Sequence, residues 1–138
     1  MTEKPLLDPS LKLRSPTWAD VNAVADLIYT VCEADGDVTV AISAEELEHA
    51  WHEEGFTLET DAFVVETGDG SIVGYEELFN EKEYADLNSD GYVHPEFKGM
   101  GIGTTLLAGS EQRAHEMMQL AAPDLRVFMR VTTDGRDE

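Results

Sequence analysis

Hydrophobic and polar residues change their spacing several times along the chain, and each change marks an element. Val21, Val24, Ala25, Ile28, Val31 and Cys32 recur every three or four residues, the spacing of one helix stripe. Thr17 stands where a cap belongs and Asp20 can answer it, so this helix is predicted to begin in the stretch SPTWAD. It ends at Asp35-Gly36-Asp37. Ser43 and Glu46 repeat the capping pattern and open a second helix with Leu47, Ala50 and Trp51. The period then shortens to two. Ala62–Glu66 reads as a strand, Gly68-Asp69-Gly70 as a hairpin turn and 71–79 as the antiparallel partner. Another strand covers 85–94. A long helix is predicted from Thr104 to about Gln119, with Leu106, Leu107, Ser110, Ala114, Met117 and Met118 facing inward. Gly109 weakens it by up to ~1 kcal/mol relative to Ala. Pro123-Asp124 breaks the chain, and 125–131 alternates as a last strand. With a short first strand at 11–14 behind a loose leader at 1–10, the order is β-α-α-β-β-β-α-β. That is an α/β or α+β sheet domain.

Composition narrows the classes. A chain of 138 residues fits one domain, here 11–138, able to bury about two thirds of its unfolded surface. No stretch approaches the ~20 apolar residues of a membrane span. The opening MTEKPLLDPSLKL has no apolar signal core. The single cysteine, Cys32, excludes an internal disulfide; it fits a reducing cytoplasm and lies on the helix stripe as a small core residue. The net charge of -20 argues against nucleic acid, whose phosphates need a basic face. It forms a solvated acidic coat and draws in cations, amines among them.

The stretch at 92–107, YVHPEFKGMGIGTTLL, joins a strand to a helix through Gly99, Gly101 and Gly103. Glycines let backbone N–H groups approach a ligand closely. The first N–H groups of a helix lack internal partners, and its dipole adds positive charge there. Such a junction suits a phosphate. A P-loop would need a lysine after the last glycine, where Thr104 stands. A dinucleotide fingerprint would need a glycine at 104 and a βαβ setting, and here antiparallel strands precede the loop. The plainer use of such glycines is a turn that lets a helix pack tightly on a strand.

The same stretch resembles the acyl-CoA-binding motif of the GNAT superfamily of acetyltransferases. Lys98 takes the place of the family's Arg or Gln, Gly101 and Gly103 the two small positions, and Thr104 the helix start. LRSPTWADVNAVADLI is similar to the family's first strand and helix, DAFVVETGDGSIVGYEELF to its second and third strands, and LRVFMRV to its fifth. The resemblance implies a mixed, mostly antiparallel central sheet flanked by helices. It implies acetyl-CoA as co-substrate, with the pyrophosphate on the N–H groups of Lys98, Gly99, Met100, Gly101, Ile102, Gly103 and Thr104. The pantetheine arm would pair beside Val93, whose N–H would polarise the thioester carbonyl. The family continues past its fifth strand with a helix and two strands bearing a tyrosine acid; this chain stops at TTDGRDE, and none of Tyr29, Tyr75, Tyr84 and Tyr92 takes that place. The expectation is a shortened domain or half of a two-domain acetyltransferase, paired as a homodimer to cover its open edge.

Acyl transfer needs a neutral amine, so a carboxylate must take its proton. The family uses acids on its third or fourth strand, which here offer Glu76 or Glu77 and Asp86 or Asp90. Asp90 and Glu77 come first, because Asp90 is close to the thioester position and Glu77 sits on the neighbouring strand. A bulge would exchange the faces of such neighbours. His49, His52 and Glu53 lack a third ligand at a metal spacing, so no metal is expected. His94 ends its strand ahead of Pro95. Trp18, Trp51, Phe56 and Phe63 read as core or rim aromatics, Trp51 and Phe56 also as cleft walls. The chain therefore reads as an N-acetyltransferase acting on an amine of a small molecule or peptide, with a cationic acceptor suggested by the charge. The alternative is a non-catalytic acyl-CoA-binding module.

Overall fold

The computed structural model describes residues 7–81, 86–118 and 128–134. Five strands form one sheet in the order β1-β2-β3-β4-β5: β1 (Lys12–Arg14), β2 (Ala62–Glu66), β3 (Ile72–Glu81), β4 (Asp86–Val93) and β5 (Phe128–Asp134). The first three junctions are antiparallel and β4 to β5 is parallel. The mixed, mostly antiparallel sheet expected from the sequence is therefore present. The helices are α1 (Val21–Ala34), α2 (Ala44–Trp51), the single turn α3 (Leu58–Asp61) and α4 (Ile102–Met118). Tyr84, and the expected strand residues 125–127, lie outside the described residues.

Local chemistry explains the helix starts. The Ser43 N–H donates to Glu46 Oε1 (3.0 Å) and the Glu46 N–H to Ser43 Oγ (3.1 Å), the reciprocal cap that the sequence predicts. Thr17 caps a 3₁₀ turn at Trp18–Asp20, so the α-helix proper begins a turn later than expected. Arg14 explains the entry angle. Its guanidinium forks onto both oxygens of Asp20 (2.8 and 3.1 Å) and its Nε donates to Glu66 (2.9 Å), tying β1, β2 and the head of α1 together.

Strand alternation sends neighbours to opposite layers. Val64 joins the layer under α1 and α2, with Val24, Ile28, Val31, Leu47, Trp51 and Tyr75. Cys32 is buried in this layer, as its place on the stripe predicts. Val65 joins the layer under α4, with Leu11, Val73, Val93, Ile102 and Leu106. Val65 pairs with Gly74 and Glu66 with Ile72, so the register slips by one at Val73.

Helix α4 departs from expectation at both ends. It begins at Ile102, not Thr104, because the Ile102 side chain is fully buried in the lower layer. Its inward stripe is Ile102, Gly103, Leu106, Ser110, Ala114 and Met117. Leu107 and Met118 each lie one residue past that stripe; Leu107 is half-buried, and Met118 turns outward, 38% exposed. Part of the expected leader is held rather than loose. Leu7 packs against the α4 layer, and the Asp8 N–H donates to the Met100 carbonyl (3.0 Å).

Gly74 decides how closely α4 lies on the sheet. A Cβ there would come 2.5 Å from Ile102 Cγ2 and 3.3 Å from both Leu106 Cδ1 and Val65 Cβ. These neighbours are short or fully buried and have little room to shift. Gly74→Ala is therefore expected to destabilise the fold by about 1–3 kcal/mol, the usual cost of overpacking. Urea denaturation measures it; an unchanged midpoint would show that the layer can widen freely.

Candidate active site

Two groups of residues lie along and just beyond the second half of β4. The first is the glycine loop. The His94 N–H donates to the Val73 carbonyl (2.9 Å), closing the β3–β4 ladder. His94 then ends the strand and its Nδ1 accepts from the Glu96 N–H (3.1 Å), starting a 3₁₀ turn at Pro95–Phe97. Gly99 and Gly101 follow with φ of 81° and 83°, conformations that side chains with a Cβ rarely adopt. The Thr105 N–H donates to the Gly101 carbonyl (3.0 Å) as the first bond of the helical ladder. The N–H groups of Ile102, Gly103 and Thr104 precede that ladder, so the helix gives them no partner. Exposed Lys98 stands beside them. The loop thus gathers backbone donors, a helix dipole and one cation, a set that fits an anion.

Val93 sits between this loop and the sheet. Backbone N–H groups alternate sides along a strand. Since the His94 N–H points to β3, the Val93 N–H points away from β3, toward the β5 side. The described pairing of β4 with β5 runs as far as Tyr92 with Asp134.

The second group is acidic. Glu77 on β3 and Asp90 on β4 are directly paired, and Tyr75 pairs with Tyr92 two residues along. All four belong to the α1–α2 side of the sheet. The Tyr75 hydroxyl donates to Glu77 Oε1 (2.7 Å), and Trp51 Nε1 donates to the Tyr75 oxygen (3.0 Å). Desolvation pushes the Glu77 carboxyl up to about 8, against the Tyr75 bond; the Asp90 and Glu76 charges and a hydrogen bond to Asp90 add to the rise. Burial likewise holds Tyr75 well above the ordinary phenol value.

The other acids separate. Glu76 faces the α4 layer, fully buried, with the Ser89 hydroxyl donating to its Oε2; Ser89 Oγ lies 2.8 Å from Ser110 Oγ. Asp86 stands at the far end of β4, in register with Glu81 and Phe128. Trp51 and Phe56 line a hollow of about 510 Å³ with Trp18, Leu58 and Glu59. Trp18 stacks on His52 with centroids 4.4 Å apart, and Phe63 packs under Gly109. Among the described residues no three His, Cys, Asp or Glu side chains gather as metal ligands, and no helix is long and apolar enough to cross a membrane. The sequence reasoning passed over Tyr75 as a site residue. Its signal was the i, i+2 spacing to Glu77, which puts both on one strand face.

Comparison with known proteins adds the relationship. Residues 33–127 match the family described as Acetyltransferase (GNAT) domain. No curated protein sequence matches. Among solved structures, a GCN5-related N-acetyltransferase from Sphaerobacter thermophilus is 38% identical with a TM-score of 0.79, over 91% of this chain and 39% of that one. A putative acetyltransferase from Salmonella typhimurium, solved with acetyl-CoA, is 21% identical with a TM-score of 0.62, over 79% of this chain and 65% of that one. A diaminobutyrate acetyltransferase from Paenibacillus lautus, solved with L-2,4-diaminobutyric acid and coenzyme A, is 20% identical with a TM-score of 0.60, over 78% and 61%. The chain thus spans about two fifths of the length of the first and under two thirds of the other two.

The Glu77 environment has a consequence for stability. An unfolded chain releases this proton near 4.5 and the folded chain holds it to about 8. Between those values only the unfolded state has lost the proton, so rising pH weakens the fold; below and above the window the slope vanishes. Glu77→Gln removes the titration and is expected to flatten this part of the stability curve. Parallel thermal-melting curves for both proteins would show that Glu77 titrates as an ordinary carboxyl.

Proposed function

We propose that this chain, which belongs to the GNAT acetyltransferase family, binds acetyl-CoA on its glycine loop and transfers the acetyl group to a primary amine. The observation that carries this reading is a helix start after β4 that fits an anion, with a paired carboxyl of raised proton affinity three positions back along the same strand. The N–H groups from Lys98 to Thr104 would hold the pyrophosphate, with Gly99 and Gly101 allowing the close approach. Two neighbours in fold were solved with acetyl-CoA or coenzyme A, which supports the donor. The pantetheine arm would lie beside Val93 on the β5 side.

The chemistry follows from these positions. The amine nitrogen attacks the thioester carbonyl carbon. The Val93 N–H donates to the carbonyl oxygen as it gains negative charge. The C–S bond then breaks and the thiolate leaves, taking a proton from water, to which the base later returns the one it took from the amine. Glu77, with Asp90 opposite, receives the proton of the amine. Asp90 lies three positions from Val93, about 10 Å along the strand, so water carries that proton. The ionised base grows in as pH passes about 8. The acceptor is an amine of a small molecule or peptide, and the charge of -20 favours a cationic one. The diaminobutyrate enzyme gives a neighbour with such a substrate. A cytoplasmic homodimer is the form proposed: Cys32 suits a reducing compartment, and a second copy would cover an open sheet edge.

A second reading has its own observation. The chain spans 39% of the Sphaerobacter protein, so it also fits a donor-binding module within a larger acetyltransferase. Calorimetric titration with acetyl-CoA, with the mass in solution measured alongside, tests both. Micromolar binding is expected, weakened at least about tenfold by Gly101→Val, whose side chain does not tolerate the φ of 83°. Glu77→Gln is expected to lower turnover of a diamine by about 10²-fold or more with binding intact. Binding without turnover in the wild type selects the module; no binding by a folded chain overturns the donor site.

A further inference from the structure

We infer that Tyr75 is a positioning residue for Glu77, and that Trp51 fixes the direction in which the Tyr75 hydroxyl donates. The inference rests on the reading of Glu77 as the base.

A phenol has one proton to give, while an indole nitrogen can only donate. Trp51 Nε1 lies 3.0 Å from the Tyr75 oxygen, so that oxygen must accept there. The single Tyr75 proton is left for Glu77 Oε1 at 2.7 Å. Neither ring has room to turn away. Tyr75 is 0% and Trp51 1% exposed, and the Tyr92 ring stacks on Tyr75 at 6.3 Å and 18°. The hydroxyl therefore holds one carboxyl oxygen in a set orientation. A donor of this kind favours the ionised carboxyl, and an indole bond to its oxygen polarises it further. Tyr75 thus opposes the burial of Glu77 and keeps it titrating where an amine can use it.

The surroundings leave few rivals for this role. Asp90 and Tyr92 face the same layer from β4, and β5 places Thr132 in register with Asp90. Glu76 is next along the strand but on the other face. Helix α1 brings apolar side chains and the Cys32 thiol into the layer, and α2 brings Leu47 and Trp51. Tyr75 and Asp90 both hydrogen-bond Glu77, and of the two only the Tyr75 hydroxyl opposes the rise, while Asp90 and the Glu76 charge add to it.

The experiment compares wild type with Tyr75→Phe, and with 3-fluorotyrosine placed at position 75. The readouts are a carbon-13 NMR titration of the Glu77 carboxyl and the pH profile of turnover. Tyr75→Phe is expected to move both midpoints upward, with turnover at neutral pH falling roughly tenfold for each unit moved and the KM for acetyl-CoA unchanged. Fluorotyrosine, a stronger donor that keeps both bonds, moves them downward. Trp51→Phe moves them upward by less, since Tyr75 keeps its proton. Midpoints that stay put in Tyr75→Phe and the fluorotyrosine protein overturn the inference, even where turnover drops equally at all pH. If Tyr75→Phe fails to fold, the fluorotyrosine protein decides alone. If the carboxyl titration shifts as expected in a chain that turns nothing over, the positioning stands and the reading of Glu77 as a base falls.

Discussion

The first turn of α4 lies against bare backbone at Gly74, where a β-carbon would meet Ile102 at 2.5 Å. That close approach sets the position of everything at the end of β4. It lets Ile102 sink among Val65, Val73 and Val93, which pins the start of the helix. With the Ile102 side chain turned inward, the loop from Lys98 to Gly101 must cross the surface to reach it. Burial of one residue and presentation of the neighbouring backbone N–H groups are thus one event. The glycines at 99 and 101 supply the left-handed turns that the crossing needs.

The sheet makes two adjacent acids into different chemical groups. Glu76 and Glu77 differ only in which side of a pleat they occupy. Glu76 is held beneath α4 by the Ser89 hydroxyl of β4, which in turn bonds the Ser110 hydroxyl of α4. Glu77 meets another carboxyl and a phenol under α2. A buried carboxyl at the end of a hydroxyl chain that runs from the sheet to a helix is suited to holding layers together. A group set against a like charge, with a donor that can be strengthened or weakened, is suited to exchanging a proton. The same layer that half-buries Glu77 also carries the ring of Trp51, so the size of the core and the chemistry of the site are not separable here.

Much of the scaffold was legible in the chain. The turn Gly68-Asp69-Gly70, the reciprocal pair Ser43 and Glu46, and the stripe from Val24 to Cys32 are local signals, and the structure keeps each of them. Helix α4 starts two residues ahead of Thr104, the first residue after the three glycines, because the demand on Ile102 comes from its packing against Gly74, distant in sequence. The facing of Glu76 and Glu77 was not legible, because the slip at Val73 shifts the alternation between the hairpin turn and the middle of β3. The hydrogen bond from Trp51 to Tyr75 joins residues 24 apart on different elements, and no local pattern announces such a contact. The glycine loop itself was visible, since three glycines at every second position before a helix have few uses.

The turn at the head of the described chain reaches further than its length suggests. Ser10 closes it onto the Asp8 carboxylate, the Asp8 N–H holds the carbonyl of Met100, and Leu7 and Leu11 wedge into the layer under α4. Met100 lies between the two left-handed glycines, so the back of the loop is fastened to a segment ninety residues earlier in sequence. An affinity tag, a fluorophore or a surface tether attached just ahead of Leu7 would therefore pull directly on the glycine loop. The choice of where to label or immobilise is, for this protein, a choice about the geometry of the turn that leads into α4.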